Sequence, residues 1–221
     1  MAQKSKPTAS SQSSRAPVLV AIIVALIAAA AIIAVVSSRG GDDEGGGTDT
    51  AGSIVTGTVT VEGSALSPTE DFADDPAVGQ AFPVLGGQAL LDGAPMEIAA
   101  DGNPKLVIFL AHWCPHCQEE VPKITEWLDA NGMPEGVDLY AVSTGVAEER
   151  DNFPPASWLR SERWQVPTMA DSPDGTAAAA AGLSAYPFFV AVDADGDVVA
   201  RASGELSVEQ LEALVGLARG A

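Results

Sequence analysis

The stretch Lys105–Ala111 (KLVIFLA) sets six apolar residues in unbroken succession after its lysine. Alternate side chains of a β-strand face opposite sides, so a strand with no polar side has to be covered on both. A short continuous run of this kind therefore predicts a central strand inside an α/β layer structure, not an exposed hairpin. Val137–Ser143 (VDLYAVS) reads as a second buried strand. Between them, Pro115–Ala130 reads as a helix that carries Pro122 inside it.

The rest of the pattern fits around that centre. Ile54–Val61 alternates and is β-branched, which predicts a strand. Gln88–Leu91 and Pro95–Ile98 predict a short hairpin around Asp92-Gly93. Residues 146–165 read as short helical pieces broken by Pro154-Pro155. Val166–Ala170 reads as a short strand, and Thr176–Gly182 as a short Ala-rich helix that stops at its glycine. Phe188–Val192 and Val198–Ala202 are strands joined by Asp193-Ala194-Asp195-Gly196-Asp197. That loop lacks the glycine position and the distal glutamate of a calcium loop, so it is read as a hairpin turn. The final helix opens at Ser207, with a capping box to Gln210 and a Leu206–Leu211 staple, and runs to about Arg219. Strands alternating with helices and ending in an antiparallel pair predict an α/β fold, a mixed sheet flanked by helices.

Composition divides the chain. The formal charge is −19, yet mean hydropathy is +0.17. Residues 17–36 carry no charge, no acid precedes Asp42, and Lys4, Lys6 and Arg15 come before the run. Beyond it eight basic residues face thirty acids, a net of −22. Twenty apolar residues span about 30 Å as a helix, the thickness of a hydrocarbon core. The expected organisation is a cytoplasmic tail (1–16), one transmembrane helix (17–36), a flexible linker (37–53), an N-terminal extension (54–78) and a folded domain (79–221). The basic flank places the tail in the cytoplasm and the domain outside. A cleaved secretory signal is the competing reading; the run exceeds the usual length and no A-x-A site ends it. Without a basic stripe, nucleic acid is not an expected partner.

The chemistry concentrates in Ala111-His112-Trp113-Cys114-Pro115-His116-Cys117, where the buried strand ends and the helix begins. At a helix N-terminus the unpaired backbone N–H groups and the dipole favour negative charge, hence the thiolate of Cys114. Cys117, one turn on, is placed to close a disulfide. Pro115 suits the first turn because it needs no N–H partner there. His116 is expected to stabilise the Cys114 thiolate further, and with it the reduced state. Four Cys/His donors within six positions do not surround a zinc ion tetrahedrally. Copper binding by the same thiolates and imidazoles remains a rival. A purely structural bridge across two residues would remove little chain entropy. His112 is expected at the exposed rim, and Trp113 as a lid over the sulfurs.

The strand–W-C-x-x-C–helix arrangement, followed later by a proline before a hydrophobic strand, resembles the thioredoxin superfamily. Cys114–Pro122 (CPHCQEEVP) is similar to its membrane-anchored TlpA/ResA-like branch, matching there at Glu120 and Pro122, and Gly79–Pro83 resembles that branch's domain start. The inner Pro115-His116 is of the DsbA type. The resemblance covers residues 79–221. It implies a thioredoxin-like fold and a thiol–disulfide oxidoreductase that needs no organic cofactor or metal. Its partners would be cysteine-containing extracytoplasmic proteins and a membrane or soluble redox partner. It also implies a cis-proline facing the cysteines. Pro167 and Pro187 are the candidates; chain order favours Pro187, making Ala185-Tyr186-Pro187 the substrate-contacting loop, with Trp113 beside it. Where thioredoxins keep a buried acid, six positions before the first cysteine, this chain has Ile108. Proton transfer at Cys117 then falls to water, Glu120 or another group. The frame resembles reducing proteins and the dipeptide an oxidising one, so electron flow is open in direction. A reductant for cytochrome c maturation, a copper-binding thiol chaperone and a binding module with an inert disulfide are the rival functions.

Overall fold

The computed structural model describes residues 52–220 and Met1. The proposed tail beyond Met1, the span 17–36 and nearly all of the linker lie outside the described residues. Among the described residues no helix is long and apolar enough to cross a membrane.

The strands are β1 (Thr60–Glu62), β2 (Val84–Ala89), β3 (Pro95–Ile98), β4 (Lys105–Leu110), β5 (Asp138–Ser143), β6 (Thr168–Ala170), β7 (Phe188–Val192) and β8 (Val198–Ser203). The helices are α1 (Pro115–Asn131), α2 (Pro155–Ser161), α3 (Thr176–Ala180) and α4 (Val208–Arg219). One mixed sheet runs β1-β2-β6-β5-β4-β7-β8, with β3 on the other edge of β2. The β4–β5 and β5–β6 pairings are parallel, and the others are antiparallel.

Strand β4 is buried at every position and is paired along both edges. Leu106, Ile108 and Leu110 face a core built with α1, α2 and α4. Val107 and Phe109 face a second core with α3 and the segment before β2. The two-sided covering expected of the apolar run is thus present. Helix α1 opens with Pro115 at its first turn and closes at Gly132, whose φ of 77° suits glycine and whose N–H reaches the Leu128 carbonyl. Ser207 and Gln210 form the expected capping box on α4.

Three elements differ from expectation: the first hairpin strand is Val84–Ala89 instead of Gln88–Leu91, and two others follow. Ile54–Val61 is not one strand; only Thr60–Glu62 pairs with β2, because the same edge of β2 is taken by β6 from Gln88 onward. Residues 54–57 attach instead by single bonds, Ile54 N–H to the Leu90 carbonyl and Gly57 N–H to the Asp171 carbonyl. Residues 146–154 form a loop, and helix begins only at Pro155. The Asp193–Asp197 connection is a tight turn whose Asp193 carboxylate accepts the Asp195 and Asp197 amides, each at 3.0 Å.

The extension before β2 belongs to the second core through Leu66, Ala77 and the half-buried Phe72. An ion pair fastens it. Arg201 on β8 donates to both Asp75 oxygens, at 2.8 and 2.5 Å, and to the Ser67 and Ala181 carbonyls. Both side chains are withdrawn from solvent. Burial works against ionisation of Asp75, but the Arg201 and Ala77 hydrogen bonds and the Arg201 charge outweigh it, and its pKa lies below the usual value. Removing one partner strands the other charge in a dry site. Arg201→Met is expected to cost about 3–5 kcal/mol in urea unfolding, and Arg201→Met with Asp75→Asn less than that. Equal loss in the single and the double variant would contradict the pairing.

Candidate active site: two buried thiols at the start of α1

Parallel pairing to β5 and antiparallel pairing to β7 bring β4 to its end at Leu110. The chain then turns through Ala111–Trp113 and enters α1. Cys114 occupies the N-cap, its N–H bonded to the Ala111 carbonyl at 3.0 Å and its own carbonyl accepting from Gln118 N–H at 3.1 Å. A serine or aspartate here would accept a first-turn amide. The Cys114 sulfur makes no such bond and stays available. Its thiol faces the Tyr186 carbonyl at 3.9 Å, which places the loop before β7 opposite the cysteine. The Tyr186–Pro187 bond is cis, as is Phe153–Pro154. Pro167 has no cis bond and lies at the entry to β6, its carbonyl bonded to Ala141 N–H.

Both cysteines are free thiols and both are buried. They differ in setting. Cys117 is fully enclosed. Burial pushes its pKa far up; the Ala111 amide opposes this, while the neighbouring Cys114 and the Glu120 charge add to it. Cys117 is therefore held as a neutral thiol through the physiological range.

Glu120 lies one turn after Cys117 and is wholly buried. Its Oε2 accepts from Lys123 Nζ at 2.8 Å and from Leu206 N–H at 3.1 Å. Its Oε1 is buried with no hydrogen-bond partner among the described residues. A buried acid thus stands on α1, close enough for its charge to act on Cys117.

Trp113 and Tyr186 meet edge to face at 5.9 Å beside Cys114. Trp113 Nε1 donates to the Gly145 carbonyl at 2.6 Å, and the Arg150 guanidinium stacks 4.7 Å from its ring centre. Trp113 therefore stands as part of a wall beside the site, tied to the loop after β5. Pro115 and His116 are exposed. His116 Nδ1 lies 2.7 Å from Glu205 Oε1, so the imidazole has a carboxylate partner that the sequence reading did not include.

His112 departs from expectation most. It is 1% exposed, not on the rim. Nδ1 donates to the Asp151 carbonyl at 2.7 Å and Nε2 accepts from Ala147 N–H at 3.2 Å. That bonding fits only the neutral ring protonated on Nδ1. Burial lowers its pKa, with Arg150 acting in the same direction and the Asp151 carbonyl and Glu149 against it. Gly145, Arg150 and Glu205 were likewise not singled out from sequence; only a glycine directly after β5 was there to be noticed. No group of three or more Cys, His, Asp or Glu side chains suited to a metal occurs among the described residues.

A thioredoxin-like sheet that delivers a C-x-x-C helix start against a cis-proline loop defines a thiol–disulfide oxidoreductase. The chain belongs to the redoxin family, whose model, described as Redoxin, matches residues 77–215. Solved structures share the fold. StoA from Bacillus subtilis is 21% identical, with 63% of this chain and 99% of that one covered, at a TM-score of 0.51. A thiol:disulfide interchange protein of the thioredoxin family from Chlorobium tepidum is 22% identical, covering 62% and 94%, at 0.52. The thioredoxin domain of a thiol-disulfide oxidoreductase from Bacteroides vulgatus is 22% identical, covering 63% and 96%, at 0.50.

Two outcomes follow from this geometry. Gly145 has a φ of +60°, and a Cβ there would lie 2.8 Å from the Tyr186 hydroxyl. Gly145→Ala is expected to destabilise by about 1–2 kcal/mol from backbone strain alone and to shift tryptophan fluorescence as the Trp113–Tyr186 contact opens; unchanged fluorescence and stability would contradict it. For His112 the folded pKa lies below the unfolded one, so its contribution is complete above about pH 6.5 and declines as pH falls. Acid unfolding of His112→Gln is expected to lack that component, and an identical pH profile would contradict the buried neutral ring.

Proposed function

We propose that the protein is a membrane-anchored thiol–disulfide oxidoreductase whose domain faces outside and exchanges disulfides with cysteine-containing proteins there. The observation that carries the reading is the placement of Cys114. It is the N-cap of α1, with the Tyr186 carbonyl at 3.9 Å and the cis Tyr186–Pro187 bond beside it. An extended substrate lying along that loop brings its sulfur to Cys114.

The Cys114 thiolate attacks a substrate disulfide, one S–S bond forms and one breaks, and the substrate's other sulfur leaves as thiolate. Cys117 then gives up its proton, attacks Cys114 Sγ and expels the second substrate thiolate. Two electrons pass to the substrate, whose two departing thiolates take their protons from solvent, and the pair is left oxidised; the reverse sequence oxidises a substrate dithiol. Because Cys117 is buried and neutral, its attack needs a base. Glu120, with one free buried oxygen a turn away, is the group we assign to receive that proton. Trp113, Tyr186 and Pro187 form the substrate wall, and Pro115 and His116 set the balance between thiol and disulfide. The anchoring rests on the uncharged run 17–36 and its basic flank.

Cys117→Ser is expected to accumulate a mixed disulfide between Cys114 and protein substrates on non-reducing gels, and Cys114→Ser to give none. Trapping through Cys117 instead would overturn the assignment. The intact chain is expected to stay with membranes in alkaline carbonate and to be digested by protease added from outside; release by carbonate would remove the anchor.

A further inference from the structure

The loop 145–153 joins β5 to α2 and forms no element of its own. Among the described residues, the hydrogen bonds that tie it to the rest of the chain all end on two side-by-side residues of the redox segment. Trp113 Nε1 reaches the Gly145 carbonyl at 2.6 Å. The other three end on His112: its Nδ1 at the Asp151 carbonyl, its Nε2 at Ala147 N–H, and its backbone carbonyl at Asn152 Nδ2, 3.2 Å away. The Phe153 ring packs edge-on against the imidazole at 6.1 Å. Gln118 of α1 also donates to the His112 carbonyl, at 3.2 Å, joining the clamp to the helix that carries both cysteines.

An apolar side chain would fill this closed space at less cost than an imidazole, whose two nitrogens must both be partnered when buried. Here both are partnered, and by the same loop. That loop places the Arg150 guanidinium, a planar fork of donors, 4.7 Å from the Trp113 ring centre.

We infer that His112 is a positioning residue for substrate. It pins the 145–153 loop to the redox segment and so builds an aromatic wall bearing the Arg150 guanidinium, against which a polypeptide lies when its sulfur meets Cys114. His112 does not touch the reacting sulfur. Its contribution falls on protein substrates, whose chain reaches the wall, and not on small disulfides, which need only Cys114. The substrate part of this inference rests on the thiol-exchange reading proposed above; the loop part does not.

The test uses the full-length chain in detergent, reduced, with His112→Leu, His112→Asn, His112→Gln, Asn152→Gly and Arg150→Ala variants. Asparagine can keep the Asp151 bond and glutamine the Ala147 bond, while leucine keeps neither. Glycine tolerates the φ of +63° at position 152 while removing the Asn152 contact. Three quantities are read: amide exchange of Ala147, kcat and KM with insulin disulfides, and the rate with a small aromatic disulfide. For His112→Leu, exchange at Ala147 is expected to rise about 10-fold or more, with KM for insulin raised by a similar factor. Its kcat and small-disulfide rate should stay within about 3-fold of the parent. Asparagine and glutamine should fall between, and Asn152→Gly and Arg150→Ala should raise KM alone. An unchanged Ala147 exchange and KM in folded His112→Leu overturns the inference. If that variant does not fold, unchanged KM in both Asn152→Gly and Arg150→Ala overturns it. If the parent protein fails to exchange with insulin or with the small disulfide, the proposed function falls, while Ala147 exchange still decides the clamp.

Discussion

Pairing of β4 on both edges fixes where the chemistry can occur. Its hydrogen bonds to β5 and β7 hold the strand in register, and two cores leave it no freedom to tilt. The chain leaving Leu110 then has one short turn before α1 begins, and that turn ends on Cys114. Strand β7 starts immediately after Pro187, so the register between β4 and β7 also sets the Tyr186 carbonyl opposite the Cys114 thiol. The site is thus assembled by the sheet, and the loops refine it.

From this placement the two cysteines acquire different roles. Cys114 stands at the helix start, its thiol facing the Tyr186 carbonyl at the cis-proline loop. Cys117 points inward and is kept neutral by burial and by the negative charge at Glu120. A neutral second thiol cannot compete for the incoming disulfide, yet must lose its proton once the mixed disulfide has formed. Glu120 is buried with half its carboxylate fixed by Lys123 and Leu206 N–H and half free. That free oxygen is the one we propose takes the Cys117 proton.

Much of this was legible in the sequence because it depends on local pattern. The apolar run of β4, the proline at the start of α1, the Ser207–Gln210 cap and the turn at Asp193–Asp197 each carry their own signal in neighbouring residues. The order of Pro187 relative to the last hairpin separated it from Pro167. What escaped depends on residues far apart. Asp75 and Arg201 are 126 positions apart and meet only when the extension folds over β8. Glu205 reaches His116 across 89 positions. Position 112 looked like a polar rim residue, since nothing local announces that a loop 35–40 positions on will cover it and satisfy its ring. Ile54–Val61 has the composition of a full strand, but β6 occupies the edge it would have used.

The division of labour between the thiols is the centre of this account, and selective alkylation reads it most directly. The reduced full-length protein would be treated at pH 7 with limiting iodoacetamide under native conditions, and the modified peptides quantified by mass spectrometry. The expected result is a single adduct on Cys114, with Cys117 labelled only after unfolding. Equal labelling of the two cysteines, or labelling of Cys117 first, would contradict it.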